Sequence, residues 1–122
     1  YDYIIDDLKY CIDNLPSRSQ WGNGAYYKAS KGAAQALLGD VYLTRGCMDN
    51  YNTTYFQEAK KYLGDVISSG EYELLPDYKS LWYWFVEEAA KNTKESLLEI
   101  QFGATQVSDL HCYFGINRNL DE

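Results

Sequence analysis

The sequence predicts a mainly all-α chain, with helical hairpins, irregular loops and at most one short strand. Three observations lead there. Apolar residues recur at three- and four-residue steps in three separate stretches, residues 1–15, 29–45 and 55–69. Small residues follow the same step through the middle stretch. Strand-like alternation is confined to residues 96–102.

In the first stretch Ile4, Leu8, Cys11, Ile12 and Leu15 form the apolar stripe, and Asp2, Asp6, Lys9 and Asp13 fall largely on the other side. Pro16 ends it, because proline disfavours helix at the preceding residue. PSRSQWGNGAYY then reads as a loop. The second helix carries Leu37, Leu38, Val41, Tyr42 and Leu43 as its large apolar residues. Gly32, Ala33, Ala36 and Gly39 form a small-residue stripe. A helix glycine costs roughly 1 kcal/mol against alanine, so Gly32 and Gly39 point to close helix packing. Gly46 reads as the stop.

CMDNYNTT reads as a polar loop; its Asn52-Thr53-Thr54 triplet fits a glycosylation sequon but is given no weight. Phe56, Ala59, Leu63, Val66 and Ile67 stripe the third helix, with Thr54 as N-cap and Gly70 just past its end. DYKSLWYWF reads as a short helix capped by Asp77. VEEAAKNTK is open between helix and loop. In SLLEIQF, Leu98, Ile100 and Phe102 alternate with Glu99 and Gln101 and predict a short strand. The organisation is one segment, residues 1–122, with a helical part to about residue 85 and a strand and irregular tail after about residue 86.

With 11 basic and 18 acidic residues the net charge is −7, which excludes a nucleic-acid partner needing clustered Lys and Arg. No apolar run is long enough to span a membrane. The opening YDYIIDDLKY has acids where a signal peptide would be basic. Since it is already helical, an excised segment of a larger protein is expected. Tyrosine is abundant, at 13 residues. Cys11, Cys47 and Cys112 have no metal-binding or disulfide spacing and read as buried or free thiols.

Leu38-Gly39-Asp40-Val41-Tyr42, followed by Gly46, has the form of the first helix of a tetratricopeptide repeat. Ala59, Leu63 and Val66 match the second. Tyr42 is expected to fill the space between the two helices, and Tyr55 and Tyr62 are assigned to helix packing as well. The connection departs from the repeat, being longer by about eight residues. Repeat units need stacked neighbours, so the first helix reads as the second helix of a preceding hairpin.

The order of features resembles the SusD/RagB family of outer-membrane nutrient-binding lipoproteins, common in gut Bacteroidetes. The resemblance runs from YIIDDLKYCIDNLP through ASKGAAQALLGDVYLTRG and YFQEAKKYLGDVISSGEYELLPDYKSLW to NTKESLLEIQF, about residues 1–102. It implies tetratricopeptide-like hairpins as part of a larger SusD-like fold. It also implies a non-enzymatic, surface-exposed lipoprotein of the outer membrane that captures oligosaccharide or polysaccharide, sometimes peptide. Such a protein lies over a TonB-dependent (SusC-like) transporter in polysaccharide uptake. The family's lipid-bearing cysteine has no counterpart, since Cys11 lies within a helix. The only membrane attachment expected is a lipid anchor upstream of Tyr1.

No catalytic arrangement and no metal or other cofactor is read. His111 is the only histidine, and its sequence neighbour Cys112 is badly placed to meet it. A glycosidase-type pair among Glu87, Glu88, Glu95 and Glu99 competes with ordinary solvated acids. The acids of the first helix lack calcium-loop spacing. Sugar binding needs aromatic faces with amides or carboxylates beside them. Candidate carbohydrate-binding residues are Trp21 beside Asn23, Tyr26 and Tyr27; Trp82 and Trp84 flanking Tyr83; and His111 and Tyr113 near Phe114, Asn117 and Asn119. Packing remains an open alternative for each cluster. The alternative function is a tetratricopeptide-like protein–protein interaction module.

Overall fold

The computed structural model describes residues 1–22, 27–79 and 93–100. Among them are three α-helices, α1 (Asp2–Asn14), α2 (Lys31–Met48) and α3 (Thr53–Ser68), and a short 3-10 turn at Ser19–Trp21. The expected all-α class holds. α2 is the central helix, packed against both α1 and α3, which do not pack on each other.

α1 ends as its sequence requires. Leu15, ahead of Pro16, is extended at φ −78° and ψ 142°, and its N–H donates to the Cys11 carbonyl. Ser30 caps α2 by accepting from Ala33 N at 3.3 Å. Asn52, rather than Thr54, caps α3 by accepting from Thr54 N at 3.0 Å. Gly70 takes the left-handed conformation past α3, at φ 70°.

The core joins Ile5 and Ile12 of α1, Ala34, Leu38 and Tyr42 of α2, and Ala59 of α3. Leu38 is fully buried, a contribution of roughly 1.5–3 kcal/mol. Tyr42 stacks between Tyr55 and Tyr62, with ring centroids 6.2 and 5.9 Å away. It thus fills the space between the hairpin helices, as the repeat pattern implies. A hydrogen bond to the Tyr42 hydroxyl also holds the Lys9 ammonium above its ordinary pKa.

Two stripe assignments shift by one residue. Ile5 is buried, whereas Ile4 is 49% exposed. Val66 is buried, whereas Ile67 is 79% exposed. Adjacent residues on a helix lie about 100° apart, so a narrow contact line takes only one of each pair.

Gly46 does not stop α2. The helix continues to Met48, and a Cβ at position 46 would lie 2.6 Å from the Phe56 ring. Gly46 is therefore a packing glycine, like Gly39, where a Cβ would lie 2.6 Å from Leu63 Cγ. The longer connection expected between the helices is also corrected. Only Asp49 to Asn52 lie between α2 and α3. The additional residues, about two helical turns' worth, extend the two arms of the hairpin past Tyr42 instead of enlarging its loop.

The strand expected over residues 96–102 is absent from its described part, residues 96–100, which are bends and irregular chain. The backbone there has another use. Ser96 N closes a turn on the Thr93 carbonyl at 3.1 Å, and the Ser96 carbonyl is taken by Arg18. Tyr78 and Lys79 begin a 3-10 turn capped by Asp77, whose carboxylate accepts from Lys79 N at 3.0 Å. The rest of the helix expected at residues 77–85 lies outside the described residues.

Candidate functional site: a loop junction around Arg18 and Trp21

The α1–α2 loop, the chain following α3 and residues 93–100 converge at the end of α2 that begins at Lys31. Arg18 is the centre. It is 7% exposed, and its guanidinium donates to the carbonyls of Thr93 (2.5 Å), Lys94 (3.1 Å) and Ser96 (2.9 Å). A buried cation is costly unless its donors are used, and the planar guanidinium reaches several acceptors at once. Its carbon also lies 5.3 Å from the centre of the Tyr72 ring. The Tyr72 hydroxyl is 3.0 Å from Ser30 Oγ, the cap of α2.

Glu71 binds the same loop from the opposite direction. Its carboxylate accepts from Arg18 N and from Ser19 Oγ, each at 2.8 Å. Burial pushes the Glu71 carboxyl pKa up, but hydrogen bonds from Ser19, the Arg18 backbone and Ser17 outweigh it, and the net shift is downward. Glu95 accepts from Leu75 N at 2.9 Å, and Lys94 pairs with Glu73 at 3.3 Å. Glu95 and Glu99 therefore serve loop structure: Glu99 accepts from Ser96 Oγ.

This junction sets the position of Trp21. Its backbone N–H donates to the Arg18 carbonyl at 3.1 Å. The indole N–H donates to the Ala29 carbonyl at 2.9 Å, and the Lys28 ammonium lies 4.6 Å from the ring centre. Trp21 is half-buried, with the only polar hydrogen of its side chain already committed. What it has left for a ligand is ring surface, and the ammonium beside it supplies a donor. Tyr27, exposed, belongs to the same loop.

Of the expected carbohydrate-binding residues, Trp21 alone is described. Trp82, Trp84, His111 and Tyr113 lie outside the described residues, as do Asn23, Tyr26, Glu87, Glu88 and Cys112. Among the described residues no three His, Cys, Asp or Glu side chains gather as a metal site. No described helix is long and apolar enough to cross a membrane. Cys11 and Cys47 are free thiols. Arg18 and Glu71 were not singled out in the sequence. The available signal was an arginine in a serine-rich loop and an acid directly after a helix-ending glycine.

The chain is similar to a SusD-like protein of Bacteroides ovatus, with 31% identity over 105 residues. The similarity covers 84% of this chain and 18% of that protein, so the chain spans about a fifth of that relative's length. No family model matches the chain. No solved structure matches it significantly.

Proposed function

We infer that the full-length protein captures glycans at the outer-membrane surface for uptake, as a lipid-anchored component of the SusD/RagB type, and does not cleave them. The observation that carries this reading is the similarity to a SusD-like protein across most of the chain. The tetratricopeptide-like α2–α3 hairpin and the Trp21 loop agree with it. In this reading the hairpins are scaffold, and the loops and less regular segments meet the sugar. A TonB-dependent, SusC-like transporter imports what is captured. Trp21 contributes a stacking surface in the described region, and Trp82, Trp84, His111 and Tyr113 extend it elsewhere.

Titration calorimetry of the full-length protein against plant and host glycans, with product analysis of the same mixtures, tests the reading. Binding of an oligosaccharide or polysaccharide at unchanged chain length is expected. Detectable shortening contradicts the non-enzymatic assignment. Silence across the panel together with tight peptide binding favours a tetratricopeptide-like interaction module instead.

A further inference from the structure

Residues 93–100 cross the loop junction on polar bonds. None of the eight is buried, and Leu98 and Ile100 are 52% and 81% exposed. Arg18 donates to the carbonyls of Thr93, Lys94 and Ser96. Glu73 N also donates to the Lys94 carbonyl, at 3.1 Å, and Glu95 accepts from Leu75 N. A segment with little buried apolar surface, held through its backbone carbonyls, belongs to the low end of local stability and opens while packed helices stay closed.

The Trp21 loop is fastened at the same residue. Within residues 16–22 only Arg18 is buried. Its carbonyl accepts from Trp21 N, its own N donates to Glu71, and its guanidinium holds residues 93–96. Backbone and side chain of one residue thus tie together two segments more than seventy positions apart. The planar fork matters, because a lysine ammonium is a point charge and does not present the same set of donors to three carbonyls. The guanidinium lies over the Tyr72 ring, and Gly32 makes room for that ring: a Cβ there would lie 2.5 Å from Tyr72 Cε2.

We propose that residues 93–96 are a strap latched by Arg18, and that the strap and the Trp21 loop open and close as one unit while the three helices stay folded. Release of the strap takes three acceptors from a buried cation, which favours a loop that returns the guanidinium to water. Displacement of the loop withdraws the same donors from the strap. Coupling of this kind is reciprocal, so whatever orders the Trp21 loop also closes the strap. The device is independent of what the Trp21 ring meets, and its failure leaves the proposed function standing.

Residue-resolved amide hydrogen exchange of the full-length protein tests it. The Glu73 and Ser96 amides report the strap, and the Arg18 and Trp21 amides report the loop, since each is bonded only while its segment is in place. Leu38 and Tyr42 report the helices. Arg18→Lys keeps the charge and loses the fork, so it perturbs the strap from the loop side. It should speed exchange at Glu73 and Ser96 by about tenfold. Glu95→Ala frees the strap from Leu75 and changes no atom of the Trp21 loop. It should speed exchange at Arg18 and Trp21 by about threefold. Leu38 and Tyr42 should be unchanged in both variants. Unchanged exchange at Glu73 and Ser96 in Arg18→Lys removes the latch. Unchanged exchange at Trp21 in Glu95→Ala overturns the coupling, whether or not Ser96 responds. Faster exchange at Leu38 and Tyr42 in both variants means that the whole fold loosens, and overturns a local device as well.

Discussion

Gly39 shows how a single residue sets the hairpin. Its missing side chain leaves room for Leu63, so α2 and α3 approach more closely than any larger residue would allow. Gly39→Leu should lower stability by roughly 1–3 kcal/mol, because the added branches meet packed leucine atoms. Thermal melts check this, and a neutral or stabilising effect would refute the close contact. Gly39 was legible because the Leu-Gly-x-x-Tyr spacing names a helix contact directly. Gly46 departs from its sequence reading for a physical reason: a glycine near a helix end serves equally as a stop or as a gap, and the choice depends on Phe56, a residue from another helix. Ile4 and Ile67 were assigned to the core because periodicity defines a stripe's direction only to within about one residue.

At the scale of elements, the helices were legible and the loop junction was not. Periodicity, caps and Pro16 act within a few residues, and the sequence displays all of them. Arg18 instead meets carbonyls more than seventy positions away, and no local pattern encodes that pairing. Residues 96–100 alternate like a strand without forming one, and the Ser96 carbonyl is taken by the Arg18 side chain. Trp21 was identifiable as an aromatic in a Gly/Asn loop, but its commitment to Ala29 and Lys28 was not.

The junction also has a predictable pH response. Glu71 has a folded-state pKa below its ordinary value of 4.5. Its stabilising effect is therefore complete above the ordinary carboxylate range and is lost as pH falls through the lowered folded value. Acid titration of Trp21-loop order, read as near-ultraviolet circular dichroism, should show a transition below about pH 4.5 that Glu71→Gln diminishes. An identical acid profile in that variant would remove Glu71 from the loop junction. Asp2, paired with Arg45 at 2.5 Å, is lowered as well, so the comparison between wild type and variant isolates Glu71.

At the scale of the molecule, the described architecture is a central helix with one helix packed to each of two contact lines and a loop junction at one end. That arrangement suits a rigid frame that presents loops. It leaves Tyr3 and Tyr10 of α1 and Ile67 of α3 exposed. The acidic balance of this chain disfavours nucleic acid as a partner.

Retention of fluorescently labelled polysaccharide by intact cells displaying the full-length protein, with the size of the eluted polymer measured afterwards, decides whether the protein captures glycans without cleaving them. Capture without cleavage predicts cell-bound label, lost when the protein is deleted, and eluted polymer of unchanged length. Label retained equally by the deletion strain, or polymer shortened by the purified protein, would contradict it.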